Sequence, residues 1–136
     1  MKTAVDFSVL FDIVKGTSGA TKAQSALESA LMRGSLGVCA VVVAELGRYF
    51  SKAQDSQGVL ADCQIDYDAM DLQTAIEAAR IMRQYVNNKG PRDRVAPDFL
   101  IGAHAQVQTD GLLTNDSGFF RHYFAHLQVI TLGGIA

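Results

Sequence analysis

Four carboxylates stand where apolar segments of this chain begin or end. Asp6 follows Ala4-Val5, and Glu45 follows the run from Val38 to Ala44. Asp98 opens the amphipathic stretch Phe99-Leu100-Ile101-Gly102-Ala103, and Asp116 closes Leu112-Leu113-Thr114-Asn115. Short apolar runs alternating with helical patterns imply a parallel sheet with helices on both faces, because each strand must bury both of its sides. Strands of one sense end on one edge of such a sheet, so acids far apart in sequence can converge there. Converging carboxylates repel one another and lose solvation, and they are ordinarily tolerated only with a bound cation or a shared proton. The simplest reading of the set is a divalent-metal site.

Length and composition agree with one compact unit. A chain of 136 residues, 49% of them hydrophobic, suffices for a single domain over residues 1–136. No apolar run approaches the ~18 residues that span a bilayer. Met1 to Asp6 lacks a long apolar signal core, so a soluble, cytoplasmic protein without membrane contact is expected. Cys39 and Cys63 are far apart and have no zinc-ligand neighbours. Cys39, inside an apolar run, reads as a small buried hydrophobe. The net charge of −2 argues against a broad basic nucleic-acid face. A cation bound at four carboxylates would reverse that balance, so charge neither excludes nor supports a phosphodiester substrate.

Local patterns place the acids on elements. Lys2 to Val5 reads as a first strand, and Phe7 to Val14 as a short helix broken near Gly16, after which Ser18 is placed to cap a helix carrying Ala23, Leu27, Ala30 and Leu31. Gly34 stops that helix. Leu36 to Ala40 suits a buried strand, and Val42 to Lys52 a helix with Glu45 in its first turns. Cys63 to Tyr67 suits an edge strand. The clearest helix runs from Asp71, its N-cap, to Asn88, with Leu72, Ala75, Ile76, Ala79, Met82 and Val86 as one stripe and Asn87 to Pro91 as its terminator. Pro97 precedes a helix from Asp98 to Gln108. A strand over Leu112 to Thr114, a helix over Gly118 to Tyr123 and a strand over Val129 to Thr131 follow, and Gly133-Gly134 reads as a flexible tail. Asp6 and Asp116 would then end strands, while Glu45 and Asp98 would begin helices, where backbone N–H groups favour negative charge.

With these pieces in order, the chain resembles the PIN domain and, within it, the VapC-type toxins of toxin–antitoxin pairs. The resemblance rests on Val5-Asp6-Phe7-Ser8, Val43-Ala44-Glu45-Leu46, Pro97-Asp98-Phe99-Leu100-Ile101-Gly102-Ala103-His104-Ala105 and Leu112-Leu113-Thr114-Asn115-Asp116, with Phe119 to Phe124 and Leu127 to Ile130 completing it. It implies a three-layer α/β/α sandwich with a mainly parallel central sheet. It also implies Mg²⁺ or Mn²⁺ held by Asp6, Glu45, Asp98 and Asp116, and RNA phosphodiester hydrolysis by metal-activated water. Ser8 and Thr114 match positions where the family often has a hydroxyl near the site. Asn115 stands where relatives often carry Arg or another polar residue, a departure that bears on substrate contact. The implied partners are an RNA substrate, a cognate antitoxin and a second copy in a homodimer.

Other meanings of these residues are blander. Lone acids are commonly solvated caps, and Asp12, Asp110 and Ser117 read that way. His104 reads as a packing or surface histidine, His122 and His126 as surface residues, and the aromatics from Phe119 to Phe124 as core. Lys89, Arg92 and Arg94 before Asp98, and Arg48 and Lys52 after Glu45, are either solvated faces or a basic flank that steers phosphates. A non-catalytic PIN-like module that binds RNA or protein is the alternative function. A phosphoryl-accepting receiver domain fits less well: no second acid adjoins Asp6, and no Lys follows Lys89.

Overall fold

A computed structural model describes residues 1–88, 90 and 94–135 of the chain. Five parallel strands form its centre: β1 (Lys2–Val5), β2 (Ser35–Val38), β3 (Ile65–Tyr67), β4 (Gly111–Leu113) and β5 (Val129–Thr131). Their spatial order is β3-β2-β1-β4-β5, and β6 (Gly134–Ile135) adds an antiparallel edge beyond β5. The helices are α1 (Phe7–Lys15), α2 (Ala20–Arg33), α3 (Ala40–Gly47), α4 (Ser56–Asp62), α5 (Leu72–Asn87), α6 (Ala96–Gln108) and α7 (Ser117–Tyr123). From β1 to β3 the chain steps outward in one direction, and from β3 to β5 it steps back across the sheet in the other. Right-handed crossovers therefore put the two helix sets on opposite faces, which gives the α/β/α sandwich.

The strands are where the sequence puts them because their residues have nowhere else to go. Ala4, Val5, Leu36, Val38, Leu112, Leu113 and Ile130 are all at most 2% exposed, as expected of strands covered on both faces. Thr3, Ala4 and Val5 register with Gly111, Leu112 and Leu113, and the Asp6 N–H continues the ladder to the Leu113 carbonyl at 3.0 Å. Two glycines are needed as glycines. Gly16 ends α1 at φ 62°, and Gly34 ends α2 at φ 154°, where an added Cβ would fall 1.8 Å from the Met1 carbonyl oxygen.

Several expectations shift. The capping residue of α2 is Gly19, not Ser18. Thr17 takes the local role, accepting the Gly19 N–H at 3.2 Å while its hydroxyl donates to Asp12 at 2.8 Å. β2 ends at Val38, Cys39 is buried at the N-cap, and α3 already starts at Ala40 and ends at Gly47, so β-branched Val41-Val42-Val43 is helical here under tertiary packing. The region after α3 holds a 3₁₀ turn (Ala53–Asp55) and α4 rather than a continued helix. Pro97 lies inside the first turn of α6, where its missing N–H costs nothing. The Gly133-Gly134 tail is not free, because Thr131 pairs with Gly134 across a tight turn.

The largest correction concerns α5. Asp71 does cap it, accepting the Thr74 N–H at 2.8 Å. Its buried face, however, is Thr74, Ala78, Ile81 and Tyr85, and Leu72, Ile76 and Val86 are exposed. The stripe read from the sequence is one turn-face away from the one that packs on α6. Polar and apolar contacts act together. Thr74 Oγ1 donates to Gln108 Oε1 at 2.6 Å, and Gln108 Nε2 donates to the Ala69 carbonyl at 2.9 Å, so these hydrogen bonds and the burial of Ala78, Ile81 and Tyr85 favour the same rotation. Beside them, buried His104 donates from Nε2 to Asp68 Oδ2 at 2.8 Å, and Lys2 Nζ lies 3.0 Å from the same oxygen. This ties β1, the loop after β3 and α6 together. Lys89 and Pro91, assigned to the end of α5, lie outside the described residues.

Candidate active site

The strand order reverses at β1, which has β2 on one side and β4 on the other. A crevice opens outside the carboxyl ends of the strands at such a point. Asp6 leaves the end of β1 there, and Asp116 comes three residues after β4. α6 runs back into β4, so its first turn, with Asp98 in it, is at the same edge. α3 leaves β2 there too, carrying Glu45. All four acids line one cleft of about 440 Å³.

Glu45 arrives differently from the expectation. It is the sixth residue of α3, well past the helix N-terminus, so the helix dipole does not support its charge. Its Oε1 is buried without a hydrogen-bond partner, one of two such side-chain atoms among the described residues. Burial raises its pKa, and repulsion from Asp6 and Asp98 raises it further. Asp98 sits in the first turn of α6, where its Oδ2 accepts the Val95 N–H at 3.3 Å.

Asp6 is the most enclosed acid, 7% exposed. Ser8 and Thr114 hydroxyls both donate to its Oδ2, at 2.9 and 2.7 Å, which fixes the rotation of the carboxyl group. Burial raises its pKa more than these hydrogen bonds lower it, and Asp116 adds repulsion. Thr114 Oγ1 also accepts the Asp116 N–H at 2.9 Å, so one hydroxyl organises two of the four acids. Asn115 is exposed at the rim of the cleft and is held there by hydrogen bonds. Its amide donates to the Ser8 carbonyl at 3.2 Å and to Asp12 Oδ2 at 2.9 Å, clamping the β4–α7 loop onto α1. Asp12 lines the cleft but is engaged by Asn115 and Thr17.

Arg94 reaches the site from the segment before α6. Its guanidinium lies on Asp116, with Nη1 2.5 Å from Oδ2 and Nη2 3.2 Å from Oδ1, and stacks over Phe119 at 4.2 Å. The other basic residues of that flank, Lys89 and Arg92, lie outside the described residues, and Lys52 is exposed away from the cleft. Among the described residues, no three His, Cys, Asp or Glu side chains are grouped tightly enough to hold one ion as they stand.

Sequence reading missed the aromatic side of the cleft. Phe7, Phe11 and Tyr49 line it, and Phe7 and Phe11, four apart at the start of a helix, were the available signal. His122 and His126 are exposed, and Phe119, Phe120 and Phe124 are buried, as expected.

The PIN domain family model matches residues 3–125 of this chain. No curated protein sequence matches it. Solved structures share its fold at low identity. The VapBC2 complex from Rickettsia felis, bound to a DNA fragment from its promoter, superposes with a TM-score of 0.76 at 15% identity, over 96% of this chain and 98% of that one. VapBC-1 from nontypeable Haemophilus influenzae gives 0.76 at 14%, over 98% and 99%. FitAcB from Neisseria gonorrhoeae gives 0.72 at 19%, over 96% and 98%.

Proposed function

This chain belongs to the PIN domain family, and on that premise we propose that it is a divalent-metal-dependent endoribonuclease, the toxin of a toxin–antitoxin pair. The observation that carries the reading is the convergence of Asp6, Glu45, Asp98 and Asp116 on one cleft at the strand-order reversal.

The residues suit Mg²⁺ or Mn²⁺. The donors are hard carboxylate oxygens, and one of them, Glu45 Oε1, is buried with nothing to bind. Because no three acidic, His or Cys side chains among the described residues are grouped to hold one ion, a cation here would keep several waters and take only one or two carboxylates directly. Asp6, Glu45, Asp98 and Asp116 would hold it. When bound, it would relieve negative charge on the phosphoryl oxygens and favour attack by water.

The chain's own groups prepare that chemistry. Ser8 and Thr114 lock the Asp6 carboxyl group and leave it no rotamer search. Repulsion among Asp6, Glu45 and Asp98 is strain a cation relieves, so the site is built for charge it does not itself supply. Asn115 and Asp12 hold the loop that carries Asp116. A polyanionic substrate meets this acidic pocket through the cation.

The antitoxin follows from similar chemistry. A solved toxin–antitoxin complex from Klebsiella pneumoniae shares this fold at 18% identity, and an acidic cleft is a receptor for a guanidinium. Arg94 on Asp116 is an intramolecular instance of that pairing. We expect a small cytoplasmic antitoxin to lay an Arg or Lys near Asp6 and Asp98, on a homodimer. The same Arg94 contact is the one observation that favours the alternative, a non-catalytic RNA- or protein-binding module.

Purified protein incubated with labelled RNA separates the two. Cleavage with Mg²⁺ or Mn²⁺, lost in EDTA and inhibited by Ca²⁺, is the expected result. Cleavage that persists in excess EDTA rejects the metal reading, and no cleavage under any divalent ion supports the binding module.

A further inference from the structure

The acid cleft has a second wall that its chemistry does not use. Phe7 and Phe11 lie one turn apart on α1, and Tyr49 comes from the turn after α3. Phe7 and Tyr49 rings stack at 5.5 Å with an interplanar angle of 21°, and Phe11 meets both edge-on at 5.9 and 5.7 Å. All three are half-buried and line the same cleft as the carboxylates. Phe7 packs against the main core, whereas Phe11 and Tyr49 lie outside it, so burial in the core does not account for them.

Two cations frame this wall. Lys15 Nζ lies 5.0 Å from the Tyr49 ring centre, and the Arg48 guanidinium carbon lies 5.0 Å from it as well. Arg48 Nη2 donates to the Tyr49 hydroxyl at 3.1 Å. Both cations are exposed. An aromatic surface with flanking positive charge, beside a phosphodiester-cleaving centre, is the composition that holds an unpaired nucleotide: rings take the base, cations take the phosphates. A paired base has no free face to offer such a wall.

The geometry points to Phe7, Phe11 and Tyr49, beside the four acids, as a stacking platform for one unpaired base, whose phosphates draw Lys15 and Arg48 off the Tyr49 ring over which they lie. The platform would make the protein select single-stranded over duplex RNA. This deepens the nuclease reading and rests on it for the identity of the substrate.

The test uses the full chain carrying Asp98→Asn, so that RNA is bound without being cut, and a short oligoribonucleotide containing 2-aminopurine. Its fluorescence should fall on binding as the base stacks, and a duplex of the same sequence should bind about tenfold more weakly. Adding Tyr49→Ala or Phe11→Ala should abolish the quenching and weaken single-strand binding about tenfold, whereas Tyr49→Phe should retain both. Lys15→Ala should keep the quenching and flatten the salt dependence of binding, and a native circular dichroism spectrum of Tyr49→Ala and Phe11→Ala excludes an alanine variant that simply unfolds. Binding without quenching, equal affinity for duplex, or an unchanged Tyr49→Ala and Phe11→Ala would overturn the platform. So would an antitoxin complex that needs Tyr49 while RNA binding does not. Parallel cleavage assays on the same aromatic variants with Asp98 intact keep the two readings apart. Cleavage that ignores Tyr49 sinks the platform and leaves the nuclease, and stacking without any cleavage does the reverse.

Discussion

Arg94 and Asp116 form a fork-on-fork ion pair across the mouth of the acid cleft, 22 residues apart in the chain. The side chains are 25% and 40% exposed, so water screens the pair, and its strength is that of a surface bridge, up to about 1 kcal/mol. It nevertheless occupies both oxygens of one of the four acids. A cation that needs Asp116 must displace it.

Arg94→Gln should therefore strengthen divalent binding by roughly two- to fivefold, the competition expected from a pair of that strength. The midpoint of Mn²⁺-induced thermal stabilisation measures this directly. An unchanged midpoint means that Asp116 does not share the cation with the other acids.

Asp6→Asn should reduce RNA cleavage by about two orders of magnitude or more while raising the melting temperature of the metal-free protein. Burial, with Asp116 repulsion, holds the Asp6 pKa above its ordinary value. A folded-state pKa above the unfolded one means that the ionised group destabilises the fold at neutral pH. Asparagine keeps an oxygen for Ser8 and Thr114 and removes the charge. Thermal unfolding in EDTA beside a cleavage assay checks both halves, and a fully active variant removes Asp6 from the site.

Stability should fall as the solution is acidified below the ordinary histidine pKa of about 6.5. Burial holds the His104 pKa below that value, against the pull of Asp68. The unfolded chain therefore takes up this proton first. The stability is complete above the unfolded pKa and is lost as pH falls through the folded one, with a slope of up to about 1.4 kcal/mol per unit. Burial raises the Asp68 carboxyl, but the hydrogen bonds from Lys2 and His104 outweigh it and hold it low, so its contribution is lost only at more acidic pH. Chemical denaturation across this window, compared with His104→Gln, should show the slope of one proton disappear in the variant.

Gly102→Ala should cost about 1–3 kcal/mol of stability by overpacking. A Cβ on Gly102 would fall 2.3 Å from the Phe124 ring, which is 1% exposed and has no room to retreat. Urea denaturation gives the number. Cleavage per folded molecule should not change, because neither residue lines the acid cleft.

How much of this was legible depends on the range of the force involved. Alternating short apolar runs determined a parallel sheet, because buried strands tolerate no other pattern, and glycines such as Gly16 and Gly34 marked helix ends through backbone geometry alone. The four acids could be named because each breaks an apolar segment. Only the tertiary structure decided how they are held. Ser8 and Thr114 meet on one oxygen of Asp6 across a separation of more than a hundred residues, and Arg94 finds Asp116 only after α6 has turned back to the sheet. The rotation of α5 was hidden for the same reason: Thr74 faces inward to reach Gln108, a partner 34 residues away, and the same rotation buries Ala78, Ile81 and Tyr85 against elements distant in sequence. Apolar period is a local property and can be read from neighbours, whereas a buried polar group follows its partner, and the fold alone determines where the partner lies.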